Sequence, residues 1–162
     1  MTAAIQDMYA DEFSHCYGCG RLNSHGLQIK SVWDGKAATA RFAPAAYHVA
    51  VPGYVYGGLI ASLLDCHGIA TAAAAAERAA GRDLRPGSVP RYVTAALQVN
   101  YLAPTPLGPV LEIQGQPKEV AGRKVIVTVS LRVEGAVTAR GELVAVLMPE
   151  SMTAGHGQVT QP

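Results

Sequence analysis

Residues 57–80 read GGLIASLLDCHGIATAAAAAERAA, and this stretch decides the fold. It has no strand-like alternation and no proline, and Gly81 follows as a helix stop. As a helix, Gly57–Ala80 would span about 36 Å. Its first five turns are apolar nearly all round, through Leu59, Ile60, Leu63, Leu64, Ile69 and the alanines 72–76. A helix of that kind is buried on most sides. The chain offers no other helix to bury it, so a sheet must curl around it. Small side chains let that sheet come close to the helix axis.

The flanking sequence supplies the sheet. Leu27–Trp33 and Lys36–Phe42 are short alternating runs separated by Asp34-Gly35, a hairpin turn. After the helix and a loop holding Pro86, Gly87 and Pro90, four runs follow: Val93–Tyr101, Val110–Val120, Lys124–Glu134 and Val137–Met148. Lys124–Glu134 has the cleanest period of two, with Val125, Val127, Val129, Leu131 and Val133 on one face. The expected order is β-β-α-β-β-β-β, an α+β fold with two strands, one long helix and a four-strand meander. Residues 1–26 read as an N-terminal arm, 27–148 as the domain and 149–162 as a flexible C-terminal tail.

Composition narrows the function classes. The 162 residues carry 13 basic and 12 acidic side chains, so no excess of positive charge exists to neutralise a nucleic acid backbone. The stretch 57–76 is long enough to span a membrane, but Asp65 at its centre opposes insertion by about 3 kcal/mol. Neither partner is expected. The start has no basic and apolar leader pattern and the three cysteines make no disulfide framework, which fits a cytoplasmic, reducing setting.

Asp65 is the charged side chain that interrupts the apolar stretch. A buried carboxylate needs a partner and is a candidate for catalysis, or else a structural group bonded to a nearby hydroxyl or amide. Gly57 and Gly58 open the helix, where free amides carry partial positive charge and bind oxyanions; they equally serve a tight turn. Asp65 lies eight residues after Gly57, about 12 Å along the axis. If both act on one group, two chains must supply them, and the site lies at a homodimer interface.

The string Gly53-Tyr54-Val55-Tyr56-Gly57-Gly58-Leu59-Ile60-Ala61-Ser62-Leu63-Leu64-Asp65 resembles the hotdog-fold acyl-CoA thioesterases, in particular the PaaI-like branch. That branch opens its central helix with His-Gly-Gly and places an acidic residue eight positions after the first glycine. The arm Cys16-Tyr17-Gly18-Cys19-Gly20, with Asn23 and Gly26-Leu27, resembles a segment found in a subset of these proteins. The resemblance implies a hotdog fold over roughly residues 15–148, an acyl-CoA substrate and no separate cofactor, coenzyme A being part of the substrate. It implies that the Gly57 amide polarises the thioester carbonyl and that Asp65 from the partner chain is the general base or nucleophile, with Thr94 assisting. Tyr56 stands where the family has His. Ala50 stands where relatives carry Asn or Gln, and His48 is the candidate substitute. Arg91 and Arg123 are nominated for the coenzyme A phosphates. The assembly implied is a homodimer or a dimer of dimers.

Two other readings of the same fold are a non-catalytic acyl-CoA-binding protein and a hydratase or dehydratase of acyl thioesters; the latter needs His48 or His67 beside Asp65. His67 reads as a core residue. Cys16 and Cys19 with His15 and His25 offer one C-x-x-C pair where structural zinc usually has two, so no metal is expected.

Overall fold

The computed structural model describes residues 3–153. Strands β1 (Ser31–Trp33) and β2 (Ala38–Phe42) precede helix α1 (Gly57–Ala79). Strands β3 (Tyr92–Tyr101), β4 (Leu111–Ala121), β5 (Lys124–Val133) and β6 (Ala136–Leu147) follow, then a single turn α2 (Glu150–Thr153). The six strands form one antiparallel sheet in the order β1-β2-β4-β5-β6-β3. The sheet wraps α1, which packs against every strand of it. This is the hotdog arrangement. The turn α2 occupies the start of the expected tail, and 154–162 lie outside the described residues.

The alternation in β5 is realised residue by residue. Val125, Val127, Val129, Leu131 and Val133 are buried, whereas Lys124, Thr128 and Arg132 are exposed. These side chains meet Leu63, Leu64, Ala70, Ala72, Ala73 and Ala74 of α1, all fully buried. The stretch flagged for its length and hydropathy is therefore the core helix. Its small residues have the expected use. A Cβ added at Gly115 of β4 would lie 2.2 Å from Thr71 Oγ1 and 3.1 Å from His67 Nε2, so these two helix side chains sit directly on the β4 backbone there.

The expected four-strand meander is corrected. β4, β5 and β6 are a meander, but β3 pairs β6 and forms the far edge of the sheet. The physical reason is the connection 102–110. It holds Pro104, Pro106 and Pro109, is too long for a hairpin turn, and its Leu102 and Ala103 amides bond the Thr138 carbonyl of β6. The first strand is also shorter than the expected Leu27–Trp33. Gln28 has φ 51°, and the Leu27 and Ile29 amides bond the Tyr17 and Gly18 carbonyls at 2.7 and 3.1 Å. Residues 27–29 thus pair with the arm rather than with β2.

The arm is tied to the core by a buried polar chain. His67 Nε2 lies 3.1 Å from the Ala38 carbonyl, so this nitrogen carries the proton. His67 Nδ1 then accepts from Ser31 Oγ at 2.8 Å. Ser31 Oγ accepts from Gln6 Nε2 at 2.8 Å, and the Ser31 amide donates to Gln6 Oε1 at 2.7 Å. Each acceptor meets a donor, and burial holds the imidazole neutral, its pKa lowered to about 4. His67 is the core residue its sequence context implies.

Candidate active site

The start of α1 is bare backbone. Tyr56 precedes it in an extended conformation and provides no side-chain cap. The Leu59 and Ile60 amides bond the Tyr56 carbonyl, which leaves the Gly57 and Gly58 amides as the free donors of the first turn. A cleft of about 310 Å³ opens beside them, lined by Tyr54, Val55, Gly57, Ile60, Tyr101 and Leu102 among others. Tyr101 Oη donates to the Gly57 carbonyl at 2.8 Å, tying the end of β3 to the helix start. The exposed Tyr56 ring lies over Gly58, within 2.4 Å of where a Cβ would sit. A larger cleft, about 500 Å³, lies at the far end of α1 among Glu77, Arg82, Asp83 and Arg85; it shares no residue with the first.

Asp65 sits two turns further along α1, half-buried. Thr94 Oγ1 of β3 donates to its Oδ1 at 2.5 Å. Desolvation raises the Asp65 pKa above the ordinary carboxylate value. The Thr94 hydrogen bond and the positive charge of Arg91 act against that, and the Cys16 sulfur adds to it. The net direction is upward, and a carboxylate so raised is a stronger base than an exposed one.

The structure brings Asp65 and Thr94 together at one end of β3. It places Tyr56, Gly57 and Gly58 at the other end, with Tyr101. Within one chain the two groups do not meet, as the helix spacing requires. His48 lies in the loop before the helix start; its carbonyl accepts from the Tyr56 amide, and its Nδ1 accepts from the Ala45 amide at 3.0 Å. Arg123 is exposed and donates to the Leu147 carbonyl at 3.2 Å. Arg91 turns inward, its guanidinium 5.0 Å from the centre of the Tyr9 ring and beside Cys19. His67 has both ring nitrogens engaged and no exposure, so the hydratase reading loses that candidate.

Two features escaped the sequence reading. Tyr101 is one; only its place at the end of an alternating run hinted at it. The other is the contact of Cys66 with the arm: its sulfur lies 3.7 Å from that of Cys16. Hydrogen bonds from the other two sulfurs, with the Gly18 and Cys19 amides, hold the Cys16 thiol far below its usual range. The contacts with Cys16 and Cys19 push Cys66 far up; the contact with Cys16, opposed by that with Cys66, pushes Cys19 up to about 11.

Residues 52–140 match the family model of the thioesterase superfamily. The chain belongs to the thioesterase superfamily. A superfamily protein from Shewanella loihica PV-4 has a crystal structure 50% identical to this chain; the match covers 86% of this chain and 98% of that one, with a TM-score of 0.66. An acyl-coenzyme A thioesterase, THEM4 of Xenopus laevis, is 33% identical over 91 residues, which are 56% of this chain. The match spans about a third of that relative, 35% of its length. The E. coli PaaI protein from the phenylacetic acid degradation operon shares the fold at 14% identity, with a TM-score of 0.62 over 76% of this chain and 81% of that one.

Proposed function

We propose that this protein hydrolyses an acyl-CoA thioester to a free acid and coenzyme A, at sites shared by two copies of the chain. The observation that carries the reading is how the parts are set along β3. This strand is a free sheet edge, with Thr94 beside Asp65 at one end and Tyr101 beside Gly57 at the other. Antiparallel pairing of two β3 edges about a two-fold axis between Leu97 and Gln98 sets Thr94 of one copy opposite Tyr101 of the other. Asp65 of one copy then faces the helix start of the other. Exposed Tyr47, Val51, Tyr54, Tyr56, Tyr101 and Leu102 surround that end and give such an interface its apolar surface. A dimer of dimers through the outer sheet face is compatible with this pairing.

In the proposed reaction the thioester carbonyl oxygen accepts from the Gly57 amide, at the positive end of α1. Asp65 takes a proton from water as the water oxygen bonds the acyl carbon. The carbon–sulfur bond then breaks, and the proton on Asp65 passes to the departing thiolate. Direct attack by the Asp65 carboxylate would instead give a mixed anhydride, which water then opens. Thr94 orients the carboxylate in either case. Arg123, exposed at the β4–β5 turn, is the candidate for the coenzyme A phosphates; Arg91, turned inward, is the weaker one. Three free cysteines suit a reducing, cytoplasmic setting.

The test is Asp65→Asn, assayed for thiol release on short, medium, long and aryl acyl-CoAs. The expected loss in kcat is about 100-fold to 10,000-fold. Turnover near that of the unchanged protein on any substrate would refute the role of Asp65.

A further inference from the structure

The arm's C-x-x-C pair is completed by a cysteine fifty residues away. Cys16, Cys19 and Cys66 place their sulfurs within 4.8 Å of one another. The Cys16–Cys66 separation is 3.7 Å. A disulfide needs about 2.05 Å, whereas tetrahedral zinc with Zn–S bonds of about 2.3 Å sets neighbouring sulfurs about 3.8 Å apart. From this geometry we infer that Cys16, Cys19 and Cys66 form a binding site for a thiophilic divalent cation, Zn2+, that clips the N-terminal arm to α1 next to Asp65.

The local backbone is built for this arrangement. The Gly20 amide donates to the Cys16 carbonyl at 2.7 Å, closing a tight turn around the pair. The Gly18 and Cys19 amides face the Cys16 sulfur, the donor pattern that favours a thiolate over a thiol. A Cβ at Gly20 would lie 2.5 Å from the Cys16 nitrogen and from the Ser14 carbonyl. One at Gly18 would lie 2.3 Å from Cys66 Sγ. Both glycines of Cys16-Tyr17-Gly18-Cys19-Gly20 are thus needed to bring the turn onto the helix cysteine. The atoms nearest to such a Cβ at position 18 are those of Cys66 and the Ser62 carbonyl.

The charges also fit. Three thiolates around a divalent cation leave one negative charge, and the Arg91 guanidinium lies beside Cys19 to offset it. The thiols release their protons to solvent on binding. Three protein ligands leave a fourth position for water. Cys19 and Cys66 are buried and Cys16 is half-buried, so the cation enters from the arm side.

The experiment uses the full chain, purified reduced and without oxygen, stripped with a chelating resin and then given Zn2+ or Co2+. The expected result is one Zn2+ retained per chain by elemental analysis and intact-mass measurement under native conditions. Co2+ should show sulfur-to-metal charge-transfer absorption, and Zn2+ should raise the melting temperature. Cys16→Ser and Cys66→Ser should each abolish retention. Should Cys66→Ser fail to fold, Cys16→Ser at the half-buried position of the arm carries the test alone. The inference is overturned by no stoichiometric Zn2+, by equal retention in Cys16→Ser, by Co2+ absorption without thiolate bands, or by a Cys16–Cys66 disulfide that persists under reduction. None of these readouts depends on thioester hydrolysis.

Discussion

Replacing Gly57 by proline separates the backbone amide from everything else at the helix start. Gly57 is the first residue of α1, the position where proline is best tolerated in a helix, because its amide has no partner within the helix. Tyr56 is already extended, and its ψ of 127° is inside the range a residue before proline adopts. The atoms nearest to a Cβ at position 57 belong to Tyr101, at 3.5 Å, an ordinary contact. The helix should therefore survive, with stability changed by less than about 1 kcal/mol and possible gain from a stiffer unfolded chain of about 0.4–1 kcal/mol. The N–H that would meet the oxyanion is gone. Loss of one such donor costs about 2.7–4 kcal/mol of transition-state stabilisation, a fall in kcat of about 100-fold to 1,000-fold. Gly57→Ala is the control: it adds the same Cβ and keeps the amide. The assay is thiol release from an acyl-CoA that the unchanged protein turns over, with urea midpoints to show that all three proteins are folded. Proline and alanine variants of equal activity, whether both active or both dead, would refute the amide's role.

Thr94→Val removes the donor that favours the ionised form of Asp65. With desolvation and the Cys16 sulfur less opposed, the Asp65 pKa rises and the acid limb of kcat/KM moves to higher pH; a limb that stays put or moves lower would overturn the pairing. His67 gives a stability prediction. Its folded pKa of about 4 lies below the unfolded value of about 6.5, so the unfolded chain binds the proton first. The stability this group contributes is complete above pH 6.5 and is lost as pH falls towards 4, by about 3 kcal/mol in all. Urea midpoints across that window measure the loss. A His67 ring that titrates near 6.5 in the folded chain by NMR would contradict it.

The sheet and helix were legible because local patterns carry them. Five alternating apolar residues from Val125 to Val133 show which face is inward, and an alanine-rich helix shows that something must approach it closely. Strand partners are a different matter. Nothing in Val93–Tyr101 says that it pairs β6 rather than β4; the prolines of 102–110 allow a crossover but do not name its destination. The candidate site divided in the same way. Gly57 and Asp65 were visible through helical spacing, and their separation already demanded two chains. Thr94 was nominated by resemblance, and its hydrogen bond to Asp65 depends on the packing of β3 against α1. In the sequence Cys66 stands only beside Asp65 and His67 on the helix. Its meeting with Cys16 is a contact across fifty residues, and only the folded arm reveals it.

The near-contact of Gly115 with Thr71 and His67 works as an alignment pin. The helix can neither slide along β4 nor lift from it without opening a gap that no side chain there can fill. Changes in side-chain size between α1 and the inner sheet face will therefore strain the fold before they make space. Room for ligands of different shape has to be made on the outside of this unit, in the 43–56 loop and along β3. A chain of this design can diversify what it accepts by editing its rim while its centre stays fixed.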